Sequence, residues 1–112
     1  MKIIPVAKSS NVKDVASSIS IELKQNKIAY VRAIGVQAIN QAVKAIAISG
    51  QFNREENYEL ITSIQFQNVI VKDVDESGKK KPNVISAMLF INKLFEKEVV
   101  RLPIIDKKFN DS

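Results

Sequence analysis

The spacing of apolar and polar positions changes several times along the chain. Residues 2–7 form a short apolar run that predicts a strand, and Pro5 places that strand near a sheet edge or at a bulge. From 12 to 25 the apolar residues recur three or four positions apart, which predicts an amphipathic helix. Ser10 or Asn11 can cap its start.

The next stretch changes from strand to helix at a single glycine. Residues 27–34 are apolar and partly β-branched, which predicts a second strand. Beyond Gly35 the apolar spacing becomes helical, and Gly50 is the expected end of this second helix. Because a helix joins the two strands, we expect them to be parallel neighbours in one sheet.

The second half of the chain has the spacing of β-structure. Residues 58–74 predict one long strand, with a bulge or bend near Gln67 and Asn68 where the alternation slips. Residues 75–83 predict a loop, and 84–92 predict an antiparallel return strand. The order β-α-β-α-β-β then predicts an α+β sandwich of two layers, a mixed four-stranded sheet with both helices on one face.

The second helix is apolar over more of its circumference than one sheet can cover. The simplest cover for its other side is the same helix of a second copy, since small residues would allow a close approach. We therefore expect a homodimer. Its predicted interface comprises Ala38, Ile39, Ala42, Ala45 and Ile46.

Composition excludes several classes of chemistry. The sequence contains no Cys and no His, which excludes disulfides, thiolate zinc sites, cysteine nucleophiles and histidine-based acid–base or metal chemistry. No nucleophile–base pair, phosphate-cradling glycine loop or metal-ligand spacing is visible, so we expect neither an enzyme nor a cofactor or metal site. No segment has the length of a signal peptide core or a membrane span, and we expect a cytoplasmic protein.

Positive charge is concentrated in the first half of the chain. The formal net charge is +5. Residues 1–50 hold seven Lys or Arg against two acids, whereas residues 51–112 hold ten against ten. Lys79, Lys80 and Lys81 are a local exception in the balanced half. Both features suit an anionic partner, of which nucleic acid is the commonest.

The central strand–turn–helix carries a resemblance to a known family. Arg32–Gly35 followed by Ala38–Ile48, together with Ala7–Asn11 before the first helix, resembles the stage V sporulation protein S family. The resemblance covers roughly residues 1–92. That family is similar in fold to Alba-type nucleic-acid-binding proteins, which implies a dimer, a cytoplasmic location and a regulatory role connected with sporulation or cell-cycle events.

Two departures from the family set the predicted domain organisation. The hairpin tip at 75–83 is longer and richer in lysine, and the chain continues beyond residue 92. We therefore predict an Alba-like domain over 1–92 and a C-terminal extension over 93–112 that is ordered in part at most.

The resemblance also implies which residues approach nucleic acid, because Alba-type proteins use basic residues of the first loop and of a hairpin arm. It assigns Lys8 in the loop and Lys79, Lys80 and Lys81 at the hairpin tip, with Arg32 and Lys44 as further candidates near the central turn. The alternative is that the three tip lysines are a solvated loop, and that Arg32 and Lys44 pair with acids or extend from packed surfaces.

Two hypotheses of function follow. The first is a dimeric regulatory protein that binds DNA or RNA mainly through phosphates, with little dependence on sequence. The second is a protein-interaction or assembly module. In this hypothesis the second helix and the C-terminal tail mediate oligomerisation and contact with a protein partner, and no nucleic acid is bound.

Overall fold

A computed structural model of the chain describes residues 2–54 and 57–96. Within them the elements follow the predicted order, and the predicted α+β sandwich with its mixed four-stranded sheet is confirmed. The elements are β1 (Ile3–Val6), α1 (Val12–Asn26), β2 (Ile28–Ala33), α2 (Val36–Arg54), β3 (Tyr58–Val74) and β4 (Lys80–Glu96).

The sheet has the strand order β1-β2-β4-β3. β1 and β2 pair in parallel, as predicted for strands joined by a helix, and β4 pairs antiparallel to both β2 and β3. β1 is an edge strand, which explains why Pro5 is tolerated there, since an edge strand does not need every backbone N–H. The other edge is β3.

Both helices pack on one face of the sheet, here called the helix face, and the opposite face is called the open face. Alternate residues of β2, among them Val31, point into the core on the helix face, beside Phe90 of β4. α1 contributes Ile19 and Leu23, both fully buried. Burial of each such side chain contributes about 1.5–3 kcal/mol, so this single layer of contacts holds the helices to the sheet.

A buried asparagine ties three strands together under the helices. The side-chain amide of Asn92 donates to the backbone carbonyl of Ala29, and its oxygen accepts from the hydroxyl of Thr62 at 2.7 Å. These residues belong to β4, β2 and β3 respectively. Because both ends of the amide are hydrogen-bonded, these contacts offset the cost of removing the polar group from water.

α1 begins where its sequence predicts and ends one residue later, at Asn26. The side chain of Asn11 accepts a hydrogen bond from the backbone N–H of Asp14 at 3.1 Å, which is an N-cap. At the other end Lys27 has a φ of 64° and its N–H donates to the carbonyl of Leu23. The left-handed residue reverses the chain into β2 one position later than predicted.

α2 corrects the prediction that the second helix ends near Gly50. It continues through that glycine to Arg54, so residues 51–54 are helical. Gly50 faces Leu60 of β3, and an added Cβ would lie 3.5 Å from Leu60 Cδ2. Packing against β3 therefore continues beyond the glycine, and the left-handed turn falls instead at Asn57, with a φ of 62°.

The β3–β4 hairpin also differs from its prediction. The register is continuous from Tyr58 to Val74, so the bulge predicted near Gln67 is wrong. The apparent slip arises because apolar residues occupy both faces of this strand. β4 begins at Lys80, earlier than predicted, because residues 80–83 pair with 71–74. The loop is thus confined to 75–79.

β4 also continues past the predicted domain boundary at residue 92 and ends at Glu96. The boundary itself stays a prediction, and the remainder of the predicted extension, 97–112, lies outside the described residues. In the described part of the chain, neither helix has the length and apolar character needed to span a bilayer.

Candidate nucleic-acid interface

The ends of β1 and β2 meet the start of α2 at one end of the sheet. Because the two strands are parallel, the residues that follow them lie side by side. Lys8 follows β1, and Gly35 follows β2 and has a φ of 88°. Both line one shallow depression together with Val36 and Gln37 of α2. The depression therefore combines an exposed lysine with the positive end of a helix dipole.

The hairpin extends from this same end. The last residue of β2, Ala33, pairs with Met88, so the earlier residues of β4 lie beyond the end of β2. Beyond that point β3 and β4 pair only with each other, in eight pairs from Gln67 with Ala87 to Val74 with Lys80. We call residues 67–87 the arm. Eight residues of antiparallel strand give it a length of about 27 Å.

The two faces of the arm carry different charges. On the continuation of the helix face lie Lys72 and Lys80, on β3 and β4 respectively. On the continuation of the open face Asp73 is paired in register with Lys81. The described strand residues of the arm thus place cationic charge without an acid on one face and mixed charge on the other.

The turn at the tip is closed by Asp75. One of its carboxylate oxygens accepts from the Ser77 hydroxyl at 2.7 Å, the Lys79 N–H at 2.8 Å and the Ser77 N–H at 3.0 Å. The other lies 3.5 Å from Lys81 Nζ. These hydrogen bonds, chiefly the one from the Ser77 hydroxyl, lower the pKa of Asp75 below its ordinary value. Gly78 supplies the left-handed φ of 83° that the turn requires.

The tip lysines predicted from the sequence are not equivalent. Lys81 has its charge offset by Asp75, whereas Lys79 and Lys80 form no ion pair among the described residues. All three are exposed. Lys8 is also exposed and lies at the base from which the arm extends. The structure therefore brings Lys8 to the same end of the sheet as the tip lysines, separated from them by the length of the arm.

The two candidates near the central turn occupy other places. Arg32 is half-buried on the open face, between Pro5 and Leu89 in the register. Lys44 is exposed on α2, nine residues after Gly35. At 1.5 Å per residue this puts it about 13 Å along the helix from the depression. Lys44 is therefore not gathered with the other lysines.

Sequence analysis missed Lys72. It is exposed, lies on the arm opposite Pro82 and shares a face with Lys80. Because Lys72 follows an apolar stretch of a predicted strand, the sequence pattern indicates only a solvent-facing strand position. The signal that could have found it is the register of the hairpin, since a strand that begins at Lys80 puts 72 and 80 on one face.

The predicted dimer residues lie mostly within the fold of a single chain. Four of them face the core between α1, α2 and the sheet, and the fifth, Ile39, is half-buried. The small residues allow α2 to approach α1 rather than a second copy. The four core residues are Ala38, Ala42, Ala45 and Ile46, with exposures of 3%, 0%, 0% and 8%.

A different part of α2 is apolar and uncovered. Ala47 and Gly50 line one cleft with Leu60 and Thr62 of β3. Moving back by four residues along α2 covers about 6 Å, which is close to the length of two residues forward along β3. Val43 therefore comes level with Ile64, and the preceding turn with Phe66. We call these three exposed residues, Val43, Ile64 and Phe66, the apolar strip.

The described residues contain no group of three or more His, Cys, Asp or Glu side chains that could hold a metal ion. Two of the three acids of the arm are instead engaged locally: Asp75 closes the turn, and Asp73 accepts from the N–H of Val74. The chemistry that this end of the molecule offers is the binding of anions by exposed ammonium groups.

Comparison with known proteins gives one family and one fold. The sequence model of the family described as stage V sporulation protein S matches residues 2–92. Among solved structures, Alba from Thermoplasma volcanium is similar, with a TM-score of 0.55 and 15% sequence identity. The similarity covers 82% of this chain and 99% of that chain. The Alba-like fold expected from the sequence is thereby confirmed.

Proposed function

The chain belongs to the stage V sporulation protein S family, and from this premise we propose that it is a dimeric regulatory protein that binds nucleic acid through phosphates. The fold it shares with an Alba protein shows the architecture alone, so the proposal depends on this chain's own residues.

The observation that carries the proposal is that Lys8 and the lysine-bearing arm lie at the same end of the sheet. Lys8 lies at the end of the sheet from which the arm extends, and Lys72, Lys79 and Lys80 lie together at the distal end of the arm. Lysines at the base and near the tip of an arm about 27 Å long can bind phosphates at two separate points of one nucleic acid. A two-fold dimer would supply two such arms, which doubles the number of contacts.

The side chains favour phosphates over base edges. Lysine is a flexible point charge that suits phosphate oxygens, whereas base recognition depends mostly on planar groups such as Arg, Asn and Gln. The helix side of the arm offers Lys72 and Lys80 near its tip, and the planar amide on that side, Asn68, lies near its base. Binding should therefore depend strongly on salt and weakly on sequence.

Fluorescence anisotropy with a labelled duplex and a labelled single strand tests the proposal. Between about 50 and 200 mM salt, log K should fall linearly with log salt, by about 0.9 for each duplex phosphate contact. Lys72→Gln combined with Lys80→Gln should weaken binding and reduce the slope by up to about 4 per dimer, because each dimer loses two copies of two contacts.

Lys93→Gln is the matched control. Lys93 is also an exposed strand lysine, but it pairs with Ile28 at the start of β2, at the opposite end of the sheet. The same change of charge there should leave the slope nearly unchanged. Failure of either oligonucleotide to bind at about 50 mM salt would contradict the proposal, and so would equal losses in the arm and control variants.

An assembly module is the second candidate, and exposed apolar side chains favour it. Phe66 at the base of the arm is 77% exposed, and Ile70 and Val84 on the arm are 74% and 62% exposed, which leaves large apolar side chains open to a partner. If the arm binds a protein instead, Phe66→Ser should abolish that association while lysine substitutions leave it intact. The tail implicated in this hypothesis lies outside the described residues.

A further inference from the structure

β3 forms one edge of the sheet and has a strand partner on one side only. Among the described residues it pairs with β4 alone, along its whole length from Tyr58 to Val74. An antiparallel strand directs the backbone N–H and C=O groups of alternate residues toward each neighbour, so every second residue of β3 presents these groups on the outer side. Such an edge can accept another strand.

The middle of this edge lacks the features that normally prevent pairing, which are short length, proline, charged side chains and bulges. β1, the opposite edge, has only four residues and contains Pro5. Residues 60–70 of β3 instead contain no Pro, Gly or charged residue, and their register with β4 is continuous. The segment is therefore open to pairing. It also exposes four large apolar side chains, Ile61, Ile64, Phe66 and Ile70.

The same segment is self-complementary about Gln65. Positions at equal distances before and after Gln65 carry the same kind of side chain, either apolar or polar. In a two-fold antiparallel pair centred on Gln65, each residue would lie opposite its mirror position, with both side chains on the same face. The resulting pairs are Ile64 with Phe66, Ser63 with Gln67, Thr62 with Asn68, Ile61 with Val69 and Leu60 with Ile70.

Neighbouring registers do not have this property. Moving the centre to Phe66 would place Ile64 opposite Asn68 and Thr62 opposite Ile70. Moving it to Ile64 would place Thr62 opposite Phe66. Each shift sets polar side chains against apolar ones, so cross-strand contacts favour the register centred on Gln65.

We propose that two copies of this chain pair edge to edge through residues 60–70 of β3, in the register centred on Gln65. Two four-stranded sheets then join into one continuous sheet, with all helices on the same side. The apolar strip fits this arrangement, because Ile64 of one copy lies opposite Phe66 of the other and Val43 is level with them. The inference rests on the dimer proposed above, but not on nucleic-acid binding.

The cleft between α2 and β3 supports the same register. Ala47 and Gly50 line it on the helix, and Leu60 and Thr62 line it on the strand. The proposed pairing places Ile70 of the second copy directly opposite Leu60, on the helix face and beside the cleft. Ile70 is exposed within one chain, so its burial there would be favourable.

Disulfide cross-linking tests the register because the chain has no cysteine. Gln65 would lie on the two-fold axis, so Gln65→Cys places two thiols opposite each other. Directly opposed residues of antiparallel strands have Cα atoms about 4.5–5.5 Å apart, within the range of about 4.4–6.8 Å that a disulfide requires. This single variant should therefore form a covalent dimer under mild oxidation.

Ser63→Cys is the matched control. Ser63 is exposed and lies on the same face as Gln65, but its two copies would be about 14 Å apart along the strands. Alone it should not cross-link, whereas its mixture with Gln67→Cys should. Equal cross-linking by Ser63→Cys and Gln65→Cys would overturn the proposal. Stronger self-cross-linking by Ile64→Cys or Phe66→Cys would overturn the register.

Sedimentation equilibrium of the natural protein separates this inference from the proposed function. A dimer mass without cross-linking of Gln65→Cys would overturn the edge pairing alone. A single-chain mass would contradict both the edge pairing and the proposed dimer, and would leave the edge to a strand of another protein.

Amide hydrogen exchange gives a second measurement that needs no thiol. Within residues 60–70, the amides that point away from β4 should be protected in the natural protein. They should exchange faster in Ile64→Glu, which places a charge against Phe66 of the second copy. The outer amides of β1 are the control and should exchange equally in both proteins. Equal exchange of the outer β3 amides in both proteins would overturn the proposal.

Discussion

Lys79, Lys80 and Lys81 follow one another in the sequence, yet their neighbours give each a different role. Lys81 lies 3.5 Å from Asp75 Oδ2, which offsets its charge. Lys80 begins β4 on the side of the arm that it shares with Lys72. The backbone N–H of Lys79 donates to Asp75 at 2.8 Å, which fixes the chain just before these side chains. Asp75 therefore decides how the lysines are presented.

The pKa of Asp75 gives a prediction at this scale. Hydrogen bonds to the charged form lower that pKa, so the ordering of the tip is fully present above the unfolded value of 3.8. It should be lost as the pH falls through the lower folded value. An NMR titration should show the Ser77 and Lys79 amide signals moving with an apparent pKa below 3.8.

Asp75→Ala should remove this titration and make both amides exchange faster at neutral pH. Because the tip lies far from the core, the midpoint of thermal unfolding should change by no more than about 4 °C. Glu76→Ala is the matched control and should leave the titration in place. An apparent pKa at or above the unfolded value would contradict the assignment of these hydrogen bonds.

At the scale of elements, the two ends of α2 differ in how well the sequence predicts them. The turn at Gly35 before α2 is predicted, whereas the continuation of the helix through Gly50 is not. Gly35 has a φ of 88° and makes the turn between β2 and α2, as its position between a strand and a helix suggests. Gly50 was the natural candidate for the end of the helix, but it is helical and packs on Leu60. The contact of Gly50 with Leu60 of β3, which the local sequence pattern does not reveal, explains why the helix continues through Gly50.

The two glycines should therefore respond oppositely to alanine. Gly35→Ala should destabilise the protein by about 1–2 kcal/mol, because a side chain disfavours the left-handed region even where space is open. Gly50→Ala should be neutral or stabilising by up to about 1 kcal/mol, because its Cβ would make an ordinary contact and alanine favours the helix.

Urea unfolding at one protein concentration measures both effects. Gly35→Asn is the control for Gly35, since asparagine tolerates the left-handed region better and should be less destabilising than alanine. Equal destabilisation by alanine at the two positions would show that the backbone conformation of Gly35 does not explain its cost.

The same distinction explains how much of the fold the sequence predicts. Element order, the parallel pair and the hairpin follow from local spacing and from the chirality and length of connections. The length of the arm does not, because residues 80–83 look like a loop and become a strand only by pairing with 71–74. The different positions of Lys72 and Lys81 on the arm depend on that register, so they could not be predicted from the sequence pattern.

At the scale of the whole molecule, the apolar strip suggests how two copies associate. Val43, Ile64 and Phe66 are 49%, 56% and 77% exposed, and the rise of helix and strand places them at neighbouring levels of α2 and β3. A monomer rarely leaves such a surface open to water. The small residues predicted for this contact, Ala38, Ala42 and Ala45, are buried within one chain, so we propose the apolar strip as the interface.

Two substitutions on the strip should separate the copies. Val43→Glu and Ile64→Glu each place a charge in the proposed contact, and in a two-fold interface each charge would be buried twice. Sedimentation equilibrium should give twice the 12.5 kDa chain mass for the natural sequence and the single mass for either variant.

Ile21→Glu is the matched control, because Ile21 is 56% exposed on the side of α1 turned away from the core. It should leave the dimer intact, and circular dichroism should show all three variants folded. The monomeric variants should also bind nucleic acid more weakly, since a single chain carries one arm and a dimer carries two. A natural protein that sediments at the single-chain mass would contradict the dimer, and unchanged association of both strip variants would place the contact elsewhere.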